Sequence, residues 1–371
     1  MNEERELMPG ADSPTPNEPT TLKDWVFLVS QGISNTILVI LGMGLLLNML
    51  GTTFHYQPLA EIGTLAQRLL SPALGVAIAM MLRTSTLVVG ATMIASTVGA
   101  NSIYFTTTAA PHATTATGWV VDQAAGSPIL TTGQPVSAVL AGVFAAVLGK
   151  WLTGKTPLDM VLVPFLVAFV GSLVGLALAS VTTPALNAVS EAIAHTMHVN
   201  PVLGAALVSL AWFVFLMTPA SSAALAIAVQ LDPLSAGAAL IGTTVAFVAF
   251  TAMSFQQNNL GANIAQTLVT PKVQFPNLLK NPWLAAGPAV IAMFTAVLAV
   301  VVFGLQVPFT LAGLGLNSLI APLYLLANDT HGLLLQVAFG VVTPAVLSFF
   351  YYRFLKKVGK TTENDLKLEE I

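Results

Sequence analysis

Long uncharged apolar runs, separated by short polar breaks, dominate the chain. A bilayer-crossing helix needs about 20 mostly apolar residues. Runs of that character occupy residues 33–50, 72–99, 134–152, 158–182, 201–230, 235–255, 285–304 and 332–352. Arg83 interrupts the 72–99 run and predicts a break there. Two further apolar pieces, 260–270 and 311–326, are too short or too polar to be ordinary spans. They predict re-entrant or broken segments, which membranes accommodate only where protein or a water-filled cavity lines the backbone. Ahead of the first span, "DWVFLVSQGISN" predicts a helix lying flat in the interface with Trp25 as its anchor.

Proline refines the boundaries. Thr-Pro recurs at 156–157, 183–184, 218–219, 270–271 and 343–344. The first, second and fourth predict helix ends, where a missing N–H costs nothing. Thr218-Pro219 predicts a break inside 201–230, with a second half-helix after it, and Thr343-Pro344 predicts a kink in the last span. The Thr- and Ala-rich stretch 101–133 predicts a solvated loop with weak hairpin tendency. The fold class is therefore an all-α polytopic membrane protein with about ten spans, some broken or re-entrant.

Composition agrees: of 371 residues, 55% are hydrophobic and 8% charged, with a mean hydropathy of +0.81. Soluble domains carry about 25% charged residues. The charge that exists orients the chain, because cytoplasmic loops are enriched in Lys and Arg. Lys23, Lys150, Lys155, Lys272, Lys280 and the cluster Arg353, Lys356, Lys357, Lys360 mark inside segments, whereas 101–133, 184–200 and 305–330 contain neither residue. Both termini are then expected in the cytoplasm of a bacterial inner membrane. Residues 1–23 read as a disordered tail, 24–352 as the membrane domain and 353–371 as a solvated tail. The absence of cysteine excludes disulfides, thiolate metal sites and a cysteine nucleophile within the chain. Thirteen basic residues, thinly spread, give no support for nucleic-acid binding.

Polar groups at membrane depth are costly and usually face a cavity or the protein interior. "MSFQQNNLGANIAQ", residues 253–266, gathers Gln256, Gln257, Asn258, Asn259, Asn263 and Gln266 without a charge among them. Carboxamides offer donors and acceptors suited to the hydroxyls of a neutral polyol or sugar, and serve equally to satisfy broken backbone and neighbouring helices. Arg83 is either an anchor whose head snorkels to the cytoplasmic side or an internal group for an anionic ligand. Ser221, Ser222 and Asn317 sit in the small-residue stretches 217–226 and 312–323, which permit tight helix packing or ligand contact. Glu191, His195 and His198 share one face of a possible short helix, but the segment is external and lacks the HExxH arrangement of a catalytic zinc site, so no metal and no cofactor is expected. No catalytic residue is identified.

Taken in order, "AVLGKWLTGKTPLDMVLVPFLVAFVGSLVG", "PASSAALAI", "AFTAMSFQQNNLGANIAQTLVTPKVQFPNLLKNPW" and "NDLKL" resemble the membrane subunit (EIIC type) of the sugar phosphotransferase system. Within that family the chain resembles the stand-alone branch, which includes toxin regulators of the perfringolysin O regulator kind. The resemblance implies a homodimer in the lipid bilayer, about ten spans per protomer and one sugar-sized site enclosed by re-entrant hairpins. It also implies phosphoryl transfer from an EIIB domain, which here would be a separate protein. Small-residue faces such as "AGVFAAVLG" (141–149) suit close helix contact in such a dimer. Where the family stretch carries an Arg-Glu pair, this chain has Gln256 and Gln257. A carboxylate there can act as a general base toward a sugar hydroxyl, and an amide cannot. The expected function is a carrier for a sugar or similar neutral polar solute, at most the membrane subunit of a phosphotransferase. The alternative is a membrane solute sensor or regulator using the same fold without net transport.

Overall fold

A computed structural model describes residues 21–114, 118–219 and 222–368. The chain enters through α1 (Leu22–Thr36), which passes through a π-helical turn, Ile37–Gly42, into α2 (Met43–Thr53). The expected interfacial helix is thus not a separate element: it is the first half of one 32-residue rod, Leu22–Thr53. Then follow α3 (Gln57–Arg68), α4 (Leu70–Met81) and α5 (Thr86–Gly99). α3 and α4 meet at a 53° bend, and α4 and α5 are separated by the predicted break, where Arg83 has φ 54°.

The 101–133 loop folds into two antiparallel ribbons. β1 (Ile103–Phe105) pairs with β4 (Pro128–Leu130), and β2 (Ala110–Thr114) with β3 (Val120–Gln123). Beyond it lie α6 (Pro135–Leu152), α7 (Asp159–Val199), α8 (Pro201–Met217), α9 (Ser222–Val229) and α10 (Pro233–Ser254). α7 corrects the sequence reading, because Pro184 lies inside it and not at its end. A proline removes one hydrogen bond and kinks a helix, and here the flanking turns continue on either side. At 1.5 Å per residue the 41-residue helix is about 60 Å long, twice the hydrocarbon thickness of about 30 Å. Glu191 and His195 lie on its exposed outer part. The break at Thr218-Pro219 appears as expected between α8 and α9.

The remaining elements are α11 (Leu260–Ile264), a π turn Ala265–Val269, a 3-10 turn Pro271–Gln274, α12 (Phe275–Lys280), α13 (Trp283–Ala296), α14 (Ile320–Asn328), α15 (Thr330–Leu335) and α16 (Thr343–Lys357). The kink expected at Pro344 is taken up by a π-helical stretch just before it, Gln336–Val342. Among the described residues, six helices are long and apolar enough to cross a membrane, or seven if the bent α3–α4 pair is one span. Two shorter apolar helices, Thr86–Gly99 and Pro201–Met217, were counted in the expectation of about ten. The chain is a multi-pass, all-α membrane protein.

α10 is the axis of the second half. It is buried along nearly its whole length because small residues let its neighbours approach. At Gly242 an added Cβ would lie 2.2 Å from the Ser209 carbonyl oxygen, so α8 and α10 touch backbone to backbone. The first half packs the same way. Ala141, Ala145 and Ala146 are fully buried, and a Cβ at Gly149 would lie 2.4 Å from Val88. The small-residue face of 141–149, expected at a dimer contact, is therefore consumed within one protomer.

Basic side chains collect at one end of the bundle. Lys150 Nζ donates to the Leu82 carbonyl at 2.9 Å and stands 4.1 Å from the Trp25 ring centroid. Lys280 Nζ lies 3.1 Å from that of Phe27. Asn281 Nδ2 donates to the Lys360 carbonyl at 2.9 Å. The start of α1 and the segment after α16 thus meet at the same end, which requires an even number of crossings between them.

Candidate functional site

The amide-rich stretch begins where α10 ends, at that basic end. Asn259 caps α11, its Oδ1 accepting from the Ala262 N–H at 2.8 Å. The five-residue helix then widens into the π turn, held close to the first rod because Gly42 leaves room for Val269: a Cβ there would lie 2.4 Å from its Cγ1. Broken helices leave backbone groups unpaired, and an inner layer of amides meets that need. Asn263 Nδ2 donates to the carbonyls of Phe255 and Asn258, both at 3.0 Å. Gln266, fully buried, donates to Ser254 Oγ at 2.9 Å and Asn263 Oδ1 at 3.0 Å. Its own Oε1 accepts from Gln274 Nε2 at 2.8 Å. In the structure these two amides bond to broken backbone and to one another.

An outer layer faces the segment after α16. Gln257 Nε2 donates to Tyr352 Oη at 2.8 Å, and its Oε1 accepts from the Leu366 N–H at 3.1 Å. Asn258 donates to the Leu366 carbonyl at 3.1 Å and accepts from the Leu368 N–H at 2.8 Å. Gln274 and Asn277 add donors to the carbonyls of Leu366 and Lys367 at 3.0 and 3.1 Å. Leu366 is fully buried. The reading of 353–371 as a solvated tail therefore fails for Leu366, since three amide side chains bind its main chain and its side chain joins the core.

Beside this contact lies a cavity of about 690 Å³ whose polar lining includes Gln31 and Asn35 of α1 together with Gln257, Asn258, Asn259 and Asn277. Lys367 and Leu368 form part of its wall, and among the described residues no carboxylate lines it. Gln256 is exposed and is not among the lining residues. Sequence reasoning missed Gln31, Asn35, Gln274 and Asn277. The first two lie more than 220 positions before Gln257 and only folding brings them in, whereas the other two continue the amide-rich pattern past Pro271.

The other candidates are elsewhere. Arg83 occupies the exposed turn between α4 and α5. Ser222 Oγ donates to the Gly313 carbonyl at 2.9 Å, so it ties α9 to the 312–319 segment. Asn317 is buried there and accepts from Ser318 Oγ at 2.8 Å. Ser221 lies outside the described residues. Lys272, read from sequence as a loop charge, is 4% exposed. Its Nζ donates to the carbonyls of Phe215 and Thr218 at the broken end of α8, where the helix dipole favours a cation.

The family model for the phosphotransferase system EIIC matches residues 27–368. The chain belongs to this family. Comparison with curated proteins and with solved structures gave no match. Membership makes this EIIC protein a sugar-transporter-like membrane subunit and implies a sugar substrate and an EIIB partner. The match runs through both the amide stretch and the segment bound to it.

Proposed function

We propose that this EIIC protein is a carrier for a neutral polyhydroxylated solute, a sugar or close analogue, and that the cavity beside α11 is where the solute is held. The carrying observation is the lining. Carboxamides from α1, from 257–259 and from α12 converge on a space of about 690 Å³, within the range of about 300–1,000 Å³ usual for small-molecule sites. Amides pair with hydroxyls as donor and acceptor at once. Among the described residues the lining holds no carboxylate, so that wall offers a hydroxyl hydrogen bonds and not a general base, and phosphoryl chemistry is assigned to an EIIB donor. In this reading the basic end is cytoplasmic in a bacterial inner membrane, and the protein is a homodimer of the stand-alone branch.

A second reading, a solute sensor on the same fold, is favoured by one observation: two cavity amides, Gln257 and Asn258, are engaged by the chain's own C-terminal segment. A thermal-shift screen of sugars on purified protein tests the binding common to both readings. A ligand at 100 times its Kd should stabilise the fold by about 2.7 kcal/mol. If no sugar shifts the transition, the cavity is not a sugar site. Uptake of the binding sugar into proteoliposomes, with and without an EIIB donor, then separates carrier from sensor.

A further inference from the structure

Beyond its helices the chain makes a dense polar contact with itself. Asn258 grips the Leu366 carbonyl at 3.1 Å and the Leu368 N–H at 2.8 Å with one carboxamide. That is a C=O and an N–H two residues on, the groups a neighbouring strand engages in a parallel sheet. Gln257 reads the Leu366 N–H, Gln274 the Leu366 carbonyl and Asn277 the Lys367 carbonyl. All of these contacts are to main chain, so they recognise peptide backbone, here as it leaves a turn in which the Lys367 N–H donates to the Asn364 carbonyl at 3.0 Å. Register comes from two side chains. Leu366 is fully buried in the cluster that contains Tyr352 and Leu355, and Asp365 closes a turn by accepting from Thr361 Oγ, the Thr362 N–H and Asn281 Nδ2 at 2.9, 3.0 and 3.2 Å.

We propose that the amide cluster Gln257, Asn258, Gln274, Asn277 is a peptide-backbone receptor for this chain's own residues 361–368. We further infer that the docked tail and a cavity solute compete for Gln257 and Asn258. This second half rests on the proposed sugar site. The tail takes both ends of the Asn258 amide and the Gln257 acceptor, while the Gln257 donor is held by Tyr352 of α16. Lys367 and Leu368 also wall the cavity, so undocking enlarges it and frees the Asn258 amide and the Gln257 acceptor together. The coupling is reciprocal: whatever solute does to tail docking, the tail does to solute affinity.

A single thiol reports the docked state, since the chain contains no cysteine. Leu366→Cys in the full chain is expected to react with a maleimide at least tenfold more slowly in the folded protein than after denaturation. Asn258→Leu in that background should raise the folded rate at least tenfold, and Asn277→Leu, which removes one contact, by less. Because a substitution at 366 itself weakens the anchor, a second arm uses the chain ending at residue 360 and a fluorescent TTENDLKL peptide. Saturable binding to the truncated protein, at least tenfold weaker to its Asn258→Leu variant and absent for the full chain, supports the receptor. A folded truncated protein that does not bind the peptide overturns it, as does a thiol that is unprotected in the full chain. A sugar that shifts thermal stability should displace the peptide, and one that shifts stability without displacing it ends the competition. If no sugar shifts stability, the proposed function and the competition fall together, while the peptide result still decides the receptor.

Discussion

Replacing Gln266 by Leu tests whether the inner amides are scaffold. Leu keeps most of the volume, so the cavity contribution is small, and what is lost is hydrogen bonding. Gln266 holds Ser254 Oγ at 2.9 Å and Asn263 Oδ1 at 3.0 Å, and accepts from Gln274 Nε2 at 2.8 Å. Gln274 Nε2 retains the Leu366 carbonyl. Ser254, fully buried, and Asn263, 6% exposed, lose the partner of one oxygen each. A buried group left unsatisfied costs about 1–3 kcal/mol, so the two together cost about 2–6 kcal/mol. For a chain of this size that lowers the midpoint by about 3–8 °C. The assay is thermal unfolding in mild detergent, with Gln256→Leu as the control because Gln256 is exposed and should change nothing. A Gln266→Leu protein as stable as the parent, or no less stable than the control, refutes the scaffold assignment.

Three other outcomes are expected. Lys272→Met should lower yield and thermal stability by stranding the Phe215 and Thr218 carbonyls, with part of the loss recovered in Lys272→Arg; equal behaviour of both variants and the parent would show that the break in α8 needs no cation. Burial pushes the Asp365 carboxyl up, but hydrogen bonds from the side chain and backbone of Thr362, from Thr361 and from Asn281 more than offset it, so its pKa lies below the ordinary 3.8. A carboxylate favoured in the docked state makes tail docking constant across neutral pH and weaker as pH falls through that depressed value; maleimide protection of Leu366→Cys followed against pH checks the sign, and loss of protection near neutrality contradicts it. Cysteines placed singly at Ala125 and Lys357 should label from opposite sides of intact cells, with 125 outside, and labelling of both from one side would reverse the charge-based orientation.

How much of this was legible beforehand depends on the range of the interaction. Burying backbone in hydrocarbon forces helices, so apolar runs marked α6, α10 and α13, and Arg83 and Thr218-Pro219 marked the breaks within two others. Positive charge near a membrane sorts by side, so the basic residues that gather around Trp25, Phe27 and Trp283 in the structure were already grouped by position in the chain. Residue type also singled out the amide stretch, and with it the family. What composition and periodicity left open was which amide does what, because a carboxamide bonds equally well to a broken helix, a sugar or another peptide. Gln266 and Gln257 look alike on paper. Tertiary structure separates them by placing Ser254 and Gln274 around the first and Leu366 and Tyr352 around the second. The same holds for Pro184, whose helix continues because its flanking turns sustain it, and for the small residues of 141–149, whose partners turn out to be α5 and α7 of the same chain. Local chemistry determined the elements, the grouping of the basic residues and the kind of group at the site. Packing, which acts between residues a hundred positions apart, decided that the amides at 257 and 258 hold the chain's own tail.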